Sequence, residues 1–282
     1  MRPFALFEVM SDRVTLREIL SAGQPDSRAG KETVDRDRPA DVSSPVMETP
    51  GSSTAATIRK VYELLLAEYG RQGWWPVTRR KGGAPEYCGG PQDSRGRFEV
   101  AVGAVLVQNT SWKNASKAIS ALSSAGMIDP ARLAAASHEE VAALVRSSGY
   151  YNQKARRLGI LARYLLEAGD DPPERDSLLA LEGIGPETAD SIMLYAFSRT
   201  FFVVDAYTIR LFSRLGVIRG NESYDRVRGL FEGSLERNPE IYNEYHALVV
   251  AQCKQRCLRV PACNVCPVSA LCASDSSCGE EG

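Results

Sequence analysis

From residue 55 onward, helical periodicity dominates the pattern of apolar and polar positions. Ile58, Val61, Leu64 and Leu65 fall on one face of a helix predicted over 55–69. Residues 98–107 are almost continuously apolar, too long a run for a typical strand, and read as a buried helix. Ser137-x-x-Glu140 forms a capping box ahead of Val141 and Leu144. Asn152 opens a helix carrying Leu158, Leu161 and Leu165, which Gly169 can end. Two further helices are predicted over 224–235 and 241–255. The fold class is therefore all-α. Residues 1–54 are different: Gly23, Pro25, Pro39, Pro45, Pro50 and Gly51 punctuate a polar stretch expected to be a disordered or poorly ordered extension. A short helix over 14–20 is compatible with it, with no function assigned.

Composition narrows the class without naming a function. The 282 residues are 44% hydrophobic, enough for a sizeable core in one large or two modest domains. No run approaches a membrane span, and the first ten residues contain Glu8 rather than a signal-peptide core, so a cytoplasmic protein is expected, nucleoid-associated in a prokaryote; it is separately expected to be a monomer. The net charge is only −1, so nucleic-acid binding would have to come from local basic patches. Candidates are Arg79-Arg80-Lys81, Lys113 with Lys117, Lys154 with Arg156-Arg157, and Arg210 with Arg214. For each, the plain alternative is a solvated helix face.

The stretch Gly183-Ile184-Gly185-Pro186-Glu187-Thr188 carries more information. A short apolar helix ending at Leu181 stops at glycine and restarts at Pro186, with Ile184 free to plug into a core. Such a turn can face a phosphate with its free N–H groups, or can simply join two helices. Seventeen residues beyond Thr188, the apolar run 200–204 ends at Asp205, where another helix begins. Asp205 reads as a helix N-cap, a role compatible with a carboxylate available for chemistry. Together with Gln108-Asn109-Thr110, Tyr151-Asn152-x-Lys154-Ala155 and Val203-Val204-Asp205, this stretch resembles the helix-hairpin-helix DNA glycosylases, the superfamily that includes endonuclease III. The resemblance runs from about Trp74 to Cys272. It implies two lobes: a six-helix barrel near 98–205 containing the hairpin, and a discontinuous cluster domain from 55–97 and 206–275. It also implies that Gly183, Ile184, Gly185 and Thr188 contact double-stranded DNA carrying a damaged base. Gln108 would enter the gap left by a flipped nucleotide, or else caps its helix. Tyr150, Tyr151 and Asn152 resemble a loop on the same DNA-facing side.

Five of the seven cysteines lie between 253 and 272, with Cys257-x5-Cys263-x2-Cys266-x5-Cys272 as the compact quartet. Four thiolates at this spacing can enclose an iron–sulfur cluster, and the resemblance implies a [4Fe–4S] cluster here. The family usually has one more residue between the first two ligands, so Cys253 and Cys278 are alternatives to Cys257. Zinc and disulfides are the other readings. Cys88 stands alone. A structural role for the cluster is expected because its ligands lie far along the chain from Asp205.

In bifunctional members of the family a lysine immediately before the hairpin threonine forms a Schiff base with the sugar; here that residue is Glu187. Without an amine no imine forms, so lyase chemistry through this position is not expected. Asp205 remains, able to stabilise charge on the deoxyribose and to orient water. Trp74-Trp75-Pro76 and Gln108-Asn109-Thr110-Ser111-Trp112 look like the 3-methyladenine glycosylase branch, in which two aromatics sandwich a cationic base. That maps onto Trp75 and Trp112; the alternative for Trp74 and Trp75 is packing at the seam between lobes. Ala206 departs from a branch member that carries lysine after the aspartate. His138 and His246 lie near no motif, consistent with a site that does not protonate the base through imidazole. The expected function is a monofunctional glycosylase for an alkylated purine. A mismatched-thymine, uracil or oxidised-pyrimidine glycosylase is the alternative, and a non-catalytic DNA-binding iron–sulfur protein a second one, disfavoured by Asp205.

Overall fold

A computed structural model describes residues 51–169 and 171–274. The stretch 1–50, with its possible short helix, and Cys278 lie outside the described residues, while Ser52, Ser53 and Thr54 belong to the first helix rather than to an extension. Eleven α-helices are described: α1 Ser52–Tyr69, α2 Ser94–Leu106, α3 Trp112–Ser124, α4 Pro130–Ala135, α5 His138–Leu144, α6 Tyr151–Ala168, α7 Arg175–Leu179, α8 Pro186–Ser191, α9 Ala206–Arg214, α10 Tyr224–Ser234 and α11 Pro239–Gln255. A wide π-helical turn, Ile192–Ala196, continues α8. Among the described residues the only extended pairing is an isolated bridge between Val77 and Glu86, and no helix is long and apolar enough to cross a membrane.

Local chemistry sets the boundaries. α2 starts four residues before Phe98 because the Asp93 carboxylate accepts from the Gly96 N–H at 2.7 Å, and its residues from Phe98 to Leu106 are all buried. Ser137 caps α5 by accepting from the Glu140 N–H. α6 begins at Tyr151, preceded by Tyr150 in the left-handed region at φ 46°, and ends at Gly169. Residues 200–204 form no regular element, with Phe202, Val203 and Val204 buried.

Two groups of helices pack side by side. α2 is the axis of the first, touched by α3, α6, α8 and the π-helical turn. In the second, α1 packs on α10 and α11, and α9 on α11, so the N-terminal helix joins the C-terminal third. The core of this second group is aromatic. Phe202 stacks on Phe231 with centroids 4.2 Å apart, and Phe212 and Tyr245 meet them edge-on. The Tyr245 hydroxyl donates to the Ile58 carbonyl at 2.6 Å, tying α11 to α1. α11 also touches the π-helical turn of the first group, so the seam between lobes runs past residues 192–196.

Candidate functional site

The hairpin forms as its residue types dictate. α7 stops, Gly183 takes φ 78°, Ile184 is buried, and Pro186 opens α8. A side chain at Gly183 would displace the Arg157 guanidinium, and its backbone angle favours glycine. Arg157 donates to Gln108 Oε1 at 2.8 Å, and Gln108 Nε2 donates to the Gly183 carbonyl at 3.1 Å and Thr188 Oγ1 at 2.8 Å. Gln108 thus does not cap its helix: it latches the α2–α3 loop onto the hairpin.

Asp205 does cap α9. Its Oδ1 accepts from the Thr208 N–H at 2.7 Å and the Thr208 hydroxyl at 3.0 Å. Its Oδ2 lies 3.5 Å from His246 Nε2, and its side chain is 14% exposed. Burial pushes the Asp205 carboxyl up, but His246 and the Thr208 donors outweigh it and leave the group below its usual value. Glu187, at the second position of α8, behaves oppositely. Its side chain reaches solvent, yet the protein around it and the charge of Asp205 push its carboxyl up to about 8. Two neighbouring carboxyls with separated proton affinities are a common acid–base arrangement.

The tryptophans gather beside this pair. Trp74 meets His246 with centroids 5.9 Å apart and Tyr195 at 6.2 Å; Trp75 meets Tyr195 at 5.0 Å. Trp75 and Trp112 are perpendicular, 87° apart, with centroids at 5.5 Å. A base held between two rings needs parallel faces separated by roughly 7 Å, two van der Waals gaps. Trp75 is also buried and packs against its neighbours, while Trp74 and Trp112 are partly exposed. The segment is clamped from both sides. Glu99, in α2, accepts from the Thr78 N–H at 2.6 Å and from its hydroxyl. Asn243, in α11, donates to the Trp74 carbonyl at 3.1 Å.

Two of the expected basic patches are altered by packing, though Arg156 stays exposed. Lys154 is buried, its ammonium donating to the carbonyls of Leu106 and Ser148, and burial followed by repulsion from Arg157 lowers it to about 8. Arg214 is turned onto the cysteine loop, and Arg210 onto the C-terminal end of α11, rather than a free face. Tyr150, by contrast, is 67% exposed beside Gln108, Asn109 and Arg157 around a cavity of about 240 Å³.

Cys257, Cys263, Cys266 and Cys272 line one cavity of about 310 Å³ with Arg214, Arg256 and Val268. Cys253 does not line it; its Sγ lies 3.5 Å from the Tyr207 carbonyl. Arg214 donates to Cys257 Sγ at 3.2 Å, and Gln252 to Cys266 Sγ at 3.1 Å. Donation from Cys253, opposed by burial and aided by Arg214, lowers Cys257 to about 6. Among the described residues no three His, Cys, Asp or Glu side chains converge as on a single ion; the four sulfurs surround a space instead.

Sequence reasoning missed His246 and Tyr195, both now against Asp205 or its partner, and the assignment of His246 to no motif is corrected. Its signal was present: an imidazole directly ahead of the apolar run Ala247–Val250.

A two-lobed all-helical fold, with a glycine hairpin beside a capping carboxylate and an aromatic cleft, defines the helix-hairpin-helix glycosylase class. Residues 102–237 match the family model described as HhH-GPD superfamily base excision DNA repair protein. The "Putative DNA repair glycosylase" of Methanocaldococcus jannaschii is 40% identical over 228 residues, covering 77% of this chain and 96% of that protein. The chain belongs to the HhH-GPD superfamily of DNA glycosylases. It is also similar to the crystal structure of an H. pylori 3-methyladenine DNA glycosylase bound to 1,N6-ethenoadenine, at 27% identity and a TM-score of 0.58, covering 72% of this chain and 97% of that one. A non-covalent endonuclease III–DNA complex shares the fold at 23% identity and a TM-score of 0.64, covering 79% of this chain and 96% of that one.

Proposed function

We propose that this glycosylase is monofunctional: it hydrolyses the N-glycosidic bond of a damaged base flipped from double-stranded DNA, an alkylated purine such as 3-methyladenine, and leaves the abasic strand intact. The observation that carries this reading is the pairing of Glu187 with Asp205. The residue before Thr188 is an acid, so no amine stands there to attack the sugar. Asp205 is held ionised by His246 and Thr208, as needed to stabilise positive charge developing on the deoxyribose and to orient water. Trp74 and Trp112 offer π faces, which attract a cationic alkylated ring in particular. A base already carrying positive charge needs no proton from the enzyme to leave. The hairpin glycines and Thr188 form the DNA-anchoring turn.

A second reading, a mismatched pyrimidine or oxidised base, is favoured by one observation. Glu187 retains its proton up to about pH 8 and so can donate a hydrogen bond to a neutral base.

Cys257, Cys263, Cys266 and Cys272 would hold a [4Fe–4S] cluster. The donor set is four thiols lining one cavity, which fits the thiolate ligands of an iron–sulfur cluster, with tetrahedral zinc the alternative. Such a cluster would cross-link the C-terminal loop, and no reaction step passes through it.

The test is release of 3-methyladenine from alkylated duplex, beside uracil, thymine-mismatch and oxidised-base duplexes, with Asp205→Asn as control. Alkylpurine release lost in the variant, with no strand break before alkali, is the expected result. An active Asp205→Asn variant, or strand cleavage by wild type, overturns the mechanism; preferential release of a pyrimidine selects the second reading.

A further inference from the structure

Asp205 Oδ1 is fully engaged by the two Thr208 donors, so the orientation of its negative charge is decided at Oδ2. From α11, His246 is placed at that oxygen. His246 Nε2 stands 3.5 Å from it, buried and with no hydrogen-bond acceptor within bonding geometry. At the other edge of the ring, Nδ1 is 2.5 Å from the hydroxyl of Tyr195, itself buried in the π-helical turn. Trp74 closes the imidazole from the side.

We infer that His246 is a positioning residue for base excision, and that Tyr195, His246 and Asp205 form a buried relay that fixes the tautomer of the imidazole and aims the carboxylate at the sugar. The chemistry of the three groups dictates the direction. An ionised carboxylate only accepts, so Nε2 must carry a proton. In the neutral ring Nδ1 is then bare, and its only hydroxyl neighbour, Tyr195, donates to it. Burial keeps the Tyr195 phenol protonated across any working pH. The opposite tautomer would turn a lone pair toward the carboxylate and leave the tyrosine hydroxyl facing an N–H. A buried donor without a bonded acceptor is costly, and a wide turn in place of regular helix is what brings Tyr195 to the ring. Both features are explained if the relay serves the carboxylate. The other groups facing Asp205 are Glu187 on α8, and Cys253 and Lys254 further along α11. Of these only Lys254 can add positive charge, so it is the partner to control for.

The relay rests on Asp205 being the excising acid, but its first test needs no substrate. The chain has two histidines, and His138 is exposed, so 15N-histidine labelling gives two separable rings assigned by His138→Gln. His246 is expected as the Nε2–H tautomer, and Tyr195→Phe should mix the two tautomers. A wild-type ring protonated only at Nδ1 overturns the relay, whatever base the enzyme removes. The second arm is single-turnover base release against pH, on whichever base the wild type removes. His246→Leu should slow release at neutral pH by about tenfold or more with substrate affinity changed by less than about threefold. Its acid limb should move to higher pH, because Asp205 loses the partner that keeps it ionised. His246→Gln, which can still present an N–H to Oδ2, should restore most of the rate; Lys254→Met should not shift the limb as far. An unmoved acid limb in a folded His246→Leu protein means a merely structural histidine and overturns the inference. If that variant does not fold, the tautomer measurement on wild type and Tyr195→Phe decides.

Discussion

Neutralising Asp190 should loosen the hairpin and the seam between lobes together. Asp190 lies in α8, fully buried, and is gripped by a two-pronged Arg175: Nε to Oδ1 at 2.6 Å and Nη2 to Oδ2 at 3.2 Å. Arg228, from α10, adds a contact to Oδ2 at 3.5 Å. Arg175 begins α7 and Asp190 closes α8, so this pair clamps the two helices of the hairpin, and Arg228 fastens them to the other lobe. In Asp190→Asn the shape survives but the two guanidinium groups, 14% and 17% exposed, lose their buried counter-charge. Removing one partner of a buried ion pair costs about 3–5 kcal/mol. Asp225, 3.3 Å from each arginine, and Glu232, 3.8 Å from Arg228, still offset part of the charge. The loss is therefore expected near the lower end, about 3 kcal/mol.

For a chain of this size that corresponds to a fall in melting temperature of about 6–12 °C. Calorimetry at low and high salt is the assay, since a buried pair is little screened and the fall should be nearly the same in both. Affinity for undamaged duplex should drop as well, because Gly183, Ile184 and Gly185 are carried between the two clamped helices. A change in melting temperature below about 2 °C, or one that vanishes in high salt, would show that the network behaves like surface ion pairs and would refute the reasoning.

Three further outcomes are expected. Glu187→Lys places an amine beside Asp205, so borohydride should trap a covalent DNA adduct in the variant and none in wild type; an untrapped variant would mean that position 187 does not reach the sugar. The carboxyl of Glu187, raised to about 8, keeps its proton in the folded state while the unfolded chain releases its proton near 4.5. It therefore withdraws stability as pH rises between those values, and DNA affinity should weaken through pH 8 as a second negative charge forms. Glu187→Gln should remove that step in a binding titration. Gly183→Ala forces a side chain to φ 78° and displaces Arg157 from Gln108, so it should lose about 1–2 kcal/mol in chemical denaturation and bind duplex more weakly.

What the sequence made legible is local. Pro186 after Gly185, Ser137 before Glu140 and Asp205 before a helix each announce a boundary through their own backbone chemistry, and each boundary appears where announced. The groups that were not legible act across the chain. Lys154 sits among residues that look like a basic patch, but its ammonium satisfies the carbonyl ends of two other segments and is lost to the surface. Trp75 shares its neighbours with Trp74, yet only three-dimensional packing separates the buried ring from the partly exposed one. His246 belongs to α11 and finds Asp205 because α9 and α11 lie against each other, a relation that no periodicity encodes.

The same relation changes what distance along the chain means for the cysteine loop. Asp205 caps the first turn of α9 and Arg214 closes its last. Nine residues at about 1.5 Å each make a rod of only about 13 Å. At its far end Arg214 donates to Cys257 Sγ and to the carbonyls of Leu258 and Arg259, while Arg210, one turn earlier, donates to the Cys253 carbonyl. The cysteine loop therefore grips the helix that presents the carboxylate, although its cysteines stand far from Asp205 in sequence. α11 supplies the second rail, carrying His246 against Asp205 and Gln252 against Cys266. Closing the loop around a cluster would immobilise both rails at once. A structural role and an influence on excision are thus not alternatives here: the loop can act on the carboxylate by keeping α9 and α11 in register.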